Sequence, residues 1–158
     1  MKEERWVDAI ELLSKRSSSA GKHWRLSWNL GWCYFKLGRF DDARKHLIRT
    51  FKLAPDDAVC KWALGSVYLK KRQFKKAEAI LSESLRIKDS HPTRIALAFA
   101  YLAQGKIEEA EKTHIENIKL KPRSSEKYKA YAMFLSDVGR EAESERVMQK
   151  AKALRDLN

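Results

Sequence analysis

Leu30-Gly31-Trp32-Cys33-Tyr34 returns as Leu64-Gly65-Ser66-Val67-Tyr68, again as Leu97-Ala98-Phe99-Ala100-Tyr101, and in weaker form as Tyr131-Ala132-Met133-Phe134-Leu135. Measured from Gly31 the steps are 34, 33 and 34 residues. A fixed period of that length marks an array of helical hairpins rather than one closed core. Each copy is followed at constant distance by a turn residue (Gly38, Arg72, Gly105, Gly139). A bulky position comes next (Phe40, Phe74, Ile107, with Glu141 in the last copy), then a small one (Ala43, Ala77, Ala110, Ser144). Leu30, Gly31 and Tyr34 share one face of a helix, and Phe40, Ala43 and Leu47 make the matching stripe on the next. Two antiparallel helices per copy follow, able to approach closely where Gly31 and Ala43 present little or no side chain. Pro55 and Pro122 end the second helices of their copies, and Pro92 restarts a first helix beside the one-residue deletion.

These Leu-Gly, Tyr, Gly, aromatic, Ala and Pro columns resemble the tetratricopeptide repeat signature from Trp24 to Asn158. The resemblance implies an all-α, right-handed superhelical solenoid of antiparallel helix hairpins, about nine helices in total. The repeats divide as 24–57, 58–90, 91–124 and 125–158, and Glu141 and Ser144 predict looser packing in the fourth. Residues 1–23 read as an N-terminal capping half-repeat followed by a Ser-rich loop, because Trp6, Ala9 and Leu13 stand 34 positions before Phe40, Ala43 and Leu47. The last helix sets polar residues around Val147, Met148, Ala151 and Leu154, as a C-terminal cap requires.

Composition supports a folded, soluble chain: 158 residues, 44% hydrophobic and 34% charged. No apolar run reaches the roughly 18 to 20 residues of a membrane span, and the first residues lack a signal-peptide core, so a cytoplasmic location is the expectation. Cys33 and Cys60 lie on different helices without CxxC spacing and read as small core residues carrying free thiols. A net charge of +12 favours acidic proteins, nucleic acid or anionic surfaces as partners.

No catalytic constellation stands out, so the chain reads as a non-enzyme without metal or cofactor. His23, His46, His91 and His114 have no HxxxH or HExxH spacing and read as solvated or loop residues. Phosphate-binding glycine loops are absent from the sequence.

The informative feature is a second apolar stripe on the first helices. Trp28, Trp32 and Phe35 follow one another at i, i+4, i+7, and Trp62, Leu69, Phe99, Leu102 and Met133 continue the stripe in later copies. First helices line the concave surface in the family that the chain resembles. That resemblance implies a peptide-binding groove of Trp28, Asn29, Trp32, Phe35, Trp62, Ser66, Leu69 and Phe99. The competing reading is that the aromatic rings only stack between repeats. Asn29 could grip a peptide backbone, but the family's carboxylate clamp would want basic groups where Val59 and Ala63 stand.

Lys70, Lys71, Arg72, Lys75 and Lys76 crowd one turn, with Lys36 and Arg39 in the corresponding region one copy earlier. They read either as solvated surface or as a contact for an acidic partner. Lys75 and Lys76 also break the rule, kept by Asp41, Asp42, Glu108 and Glu109, that acidic residues favour the first turn of a helix. The leading reading is a monomeric or weakly associating interaction scaffold for an apolar or aromatic protein segment with acidic flanks. The alternative is nucleic-acid binding, with lysines on phosphates and aromatics on bases.

Overall fold

The computed structural model describes residues 2–17 and 24–156. The Ser-rich loop expected before Trp24 lies outside the described residues. The helices are α1 (Lys2–Ser17), α2 (Trp24–Lys36), α3 (Phe40–Leu53), α4 (Ala58–Lys70), α5 (Phe74–Ile87), α6 (His91–Leu102), α7 (Ile107–Leu120), α8 (Ser125–Asp137) and α9 (Glu141–Asp156). No strand occurs among the described residues. Two compact units result, residues 1–88 with α1 to α5 and residues 89–158 with α6 to α9. In each, neighbouring helices pair as hairpins: α2 with α3 and α4 with α5 in the first, α6 with α7 and α8 with α9 in the second. α1 packs against α2.

One turn geometry closes every hairpin. The amide after the turn residue reaches back five positions, from Arg39 to the Tyr34 carbonyl (2.9 Å), Gln73 to Tyr68 (2.9 Å), Lys106 to Tyr101 (3.0 Å) and Arg140 to Leu135 (2.8 Å). This bond satisfies a carbonyl that the helix end would leave open, and it requires a left-handed residue just before it. Gly38, Gly105 and Gly139 supply that conformation with φ of 72°, 76° and 78°. Arg72 adopts it at 56° without glycine's freedom, which costs roughly 1 kcal/mol.

Leu47 and Leu81 sit where the first two hairpins cross. A Cβ built on Gly31 would lie 2.8 Å from Leu47 Cγ, and one on Gly65 only 2.5 Å from Leu81 Cγ. Both leucines are fully buried, as are Ala43 and Ala77 beside them. Cys33 and Cys60 are buried too; desolvation, helped by the Asp57 charge, pushes the Cys60 thiol up to about 12, so it stays protonated and unreactive.

The second unit solves the crossing differently. Ala98 and Ala132 replace the glycines, and His114 and Met148 replace the leucines. In the last hairpin the Ser144 hydroxyl donates to the Ala132 carbonyl at 2.7 Å. The expected loosening is thus offset by a direct bond across the crossing.

Gly65→Ala tests the crossing. Overpacking against a leucine with nowhere to go costs about 1–3 kcal/mol, more than the roughly 1 kcal/mol that alanine returns in helix propensity. Thermal unfolding of the variant should therefore show a lower midpoint, and an unchanged or higher one would mean that Leu81 can step aside.

Candidate protein-interaction surface

α2 places Trp28, Trp32 and Phe35 on successive turns, and their rings stack. Centroids lie 5.9 Å apart for Trp28 and Trp32 at 12°, and 5.5 Å for Trp32 and Phe35 at 16°. Trp62 reaches across from α4 to within 5.6 Å of Trp32. Phe40 closes the row, edge-on to Phe35 at 5.8 Å. All of these side chains are half-buried: one side of the row packs on the core that contains Ala63, Leu64 and Val67, while part of each ring stays open. Ring pairs of this kind add about 0.5–1.5 kcal/mol each beyond area burial, so the row is pre-organised before anything touches it. Stacking between repeats and partial exposure of the rings coexist here.

The other groove candidates divide. Asn29 is exposed beside the row; Leu69 is half-buried; Ser66 donates its hydroxyl to the Trp62 carbonyl at 2.9 Å, the back-bond common for serine in a helix. Val59 is exposed and Ala63 buried. Phe99 belongs to the second unit, where it lines a pocket with Met133.

The basic candidates divide as well. Lys36 holds its ammonium 4.6 Å above the Trp32 ring. Arg39 bonds Asp42 at 2.8 Å and lies over Tyr34 at 4.8 Å. Lys71 is paired with Asp41, whose carboxyl its hydrogen bond and charge hold below the usual carboxylate range. Lys70, Arg72, Lys75 and Lys76 remain exposed with no ion pair among the described residues. Gln73 gives α5 no side-chain cap, and no acidic residue occupies its first turn. The helix end is left with positive charge on positive dipole. Among the described residues no cluster of metal-ligating side chains forms, and no helix is long and apolar enough to cross a membrane.

Stacked helix hairpins with this register define an α-helical repeat protein. Tetratricopeptide repeat models match residues 24–90 and 91–112, and the chain belongs to the tetratricopeptide repeat family. Its fold is similar to solved structures of MamA. One from Desulfovibrio magneticus RS-1, residues 41 to the end, is 16% identical with a TM-score of 0.84 over 97% of this chain and 87% of that one. Another crystal structure of MamA is 18% identical with a TM-score of 0.82 over 98% and 91%. MamA of MSR-1 is 22% identical with a TM-score of 0.75 over 98% and 90%. At these identities the likeness is one of fold. No curated protein matches the chain at a significant level. The family makes a protein-interaction scaffold the general role.

Of the histidines expected to be solvated or in loops, His23 lies outside the described residues and the other three need correction. His46 stacks on Tyr34 at 5.4 Å, and His91 accepts at Nδ1 from Asn117 at 2.7 Å. His114 is no solvated residue: it is 6% exposed, packed on Phe134 at 5.1 Å, and its Nδ1 has no partner. The signal was in the register, because position 114 falls in the column of Leu47 and Leu81. Burial, with His91 as a lesser contributor, pushes the imidazole down to about 4.

A folded value below the unfolded 6.5 means that the unfolded chain takes the proton first. The neutral ring's contribution is therefore complete above pH 6.5 and is lost as the pH falls toward 4. A shift of this size corresponds to about 3 kcal/mol. Urea unfolding across that window should show His114→Leu losing less stability on acidification than the wild-type chain. Parallel losses would place the acid-sensitive group elsewhere.

Proposed function

We propose that the chain is a scaffold that receives an apolar or aromatic protein segment with acidic flanks along the α2 and α4 face. The observation that carries this reading is the half-open row of Trp28, Trp32, Phe35 and Trp62 with Lys36 over its middle ring. Rigid stacked rings lose little entropy on binding, and tryptophans are frequent anchors at interfaces. Asn29 stands beside the row with both a donor and an acceptor for an extended backbone. The exposed Lys70, Arg72, Lys75 and Lys76 give the surface a positive field that speeds encounter with an acidic segment more than it tightens the final complex.

The backbone at Arg72 and the first turn of α5 fit this division of labour. Both are locally unfavourable, and local rules are broken most often where a surface is kept for contact. A monomeric or weakly associating state and a cytoplasmic location complete the reading.

Selection of displayed peptides on the full-length chain tests it. Peptides with an aromatic anchor and neighbouring Asp or Glu should be enriched, and Trp28→Ala should weaken them by roughly thirtyfold. The double change Lys75→Asp with Lys76→Asp should raise the unfolding midpoint slightly and slow association, most of all at low ionic strength. Unchanged affinity in Trp28→Ala and Trp62→Ala would remove the groove. Binding of single-stranded nucleic acid that falls steeply with salt would favour the alternative.

A further inference from the structure

The second unit holds an apolar pocket of about 160 Å³, remote in sequence from the tryptophan row. Ile95, Ala98 and Leu102 of α6 form one wall, Ala130 and Phe134 of α8 the other, and His114 of α7 closes it between them. An apolar cavity of about 150 Å³ is large enough to take a benzene ring. Its origin is visible in the repeat register. Where the first two hairpins seat a branched leucine against glycine, this one has planar His114 beside Ala98, and the ring leans onto Phe134.

Three features distinguish the pocket from a packing gap. Phe99 and Met133, which also line it, are 52% and 56% exposed and offer apolar surface around it. His114 is more than nine-tenths buried and keeps an unpartnered Nδ1, so the interior is not a finished core. Asp137 is the one carboxylate lining it, exposed and without an ion pair among the described residues. In a chain of net charge +12 that is a local reversal of sign. The imidazole does not cancel it, since burial keeps His114 neutral at pH 7.

We propose that this pocket accepts one aromatic side chain of a partner protein, with a cationic group beside the ring meeting Asp137. The chemistry differs from that of the α2 and α4 face, where the charge at the rim is positive. The ring enters between α6 and α8, and Phe99 and Met133 fold over its exposed edge. Methionine suits this position because its unbranched thioether adapts to what it covers.

Benzylammonium, benzyl alcohol and phenylacetate serve as probes for the full-length chain, read by the methyl resonance of Met133 and the ring resonances of His114. All binding is weak, as ligands of this size must be. Benzylammonium should move both sets of signals and bind about threefold more tightly than benzyl alcohol, the scale of one exposed ion pair. Phenylacetate should bind least. Asp137→Asn should remove the difference between the ammonium and the alcohol, and Ala130→Leu, which fills the space, should abolish the shifts while helicity stays at the wild-type level. If Ala130→Leu fails to fold, the charge comparison in Asp137→Asn decides alone. Unmoved Met133 and His114 signals in the wild-type chain, or equal binding of phenylacetate and benzylammonium, would overturn the proposal.

Discussion

Leu47 and Leu81 occupy the space that any side chain on Gly31 or Gly65 would need, and that contact governs the first unit. It lets α2 lie close on α3 and α4 close on α5, which in turn fixes where the opposite flank of α2 and α4 must go. A helix that is apolar on two sides and covered on one presents the other to whatever comes next. Trp28, Trp32 and Phe35 are the consequence for α2, and Trp62 meets them because α4 repeats the same geometry 34 residues later. The half-exposed aromatic face is a by-product of how the crossing is packed.

The second unit rests on polar contacts to a greater degree. Arg140 bridges Glu111 and Glu143 at 2.7 Å each, and the Tyr131 hydroxyl donates to Glu111 at 2.6 Å. Arg94 holds both Asp89 (2.8 Å) and Glu116 (3.0 Å). Lys127, buried, donates to the Asn117 carbonyl at 2.6 Å. The bidentate pairs, Arg94 with Asp89 and Arg140 with Glu143, are local and fix each guanidinium, which then reaches α7 through a single bond to Glu116 or Glu111. His114 stands in the crossing column where Leu47 and Leu81 pack the first unit, and a pocket lies beside it, while these networks tie α6 to α7 and α7 to α8 and the start of α9.

Much of this was legible in the residues. The period located every hairpin, because Gly38, Gly105 and Gly139 mark a turn that demands positive φ, and Ala43, Ala77 and Ala110 mark a crossing that demands a small side chain. The tryptophan row followed from helical spacing alone. The charged surface was less legible. Lys71 finds Asp41 from 30 positions away, a pairing that only the packing of α3 beside α4 decides, whereas Arg39 takes Asp42 three positions on at the start of α3 and stays exposed. His114 was missed because a histidine carries no hydropathy signal for burial; comparison of its column with Leu47 and Leu81 would have found it. The pocket beside it depends on ring orientation, which no spacing encodes.

The account stands on an aromatic row that is accessible and sits in a positive field, and quenching of tryptophan fluorescence measures both. All five tryptophans precede Ala63, and a chain carrying Trp6→Phe and Trp24→Phe leaves Trp28, Trp32 and Trp62 as the emitters. At low ionic strength iodide should quench their emission much more effectively than caesium, with the difference shrinking as salt screens Lys36 and the lysines of the α4–α5 turn. Equal quenching by the two ions, or none by either, would contradict the claim that this face is open and cationic.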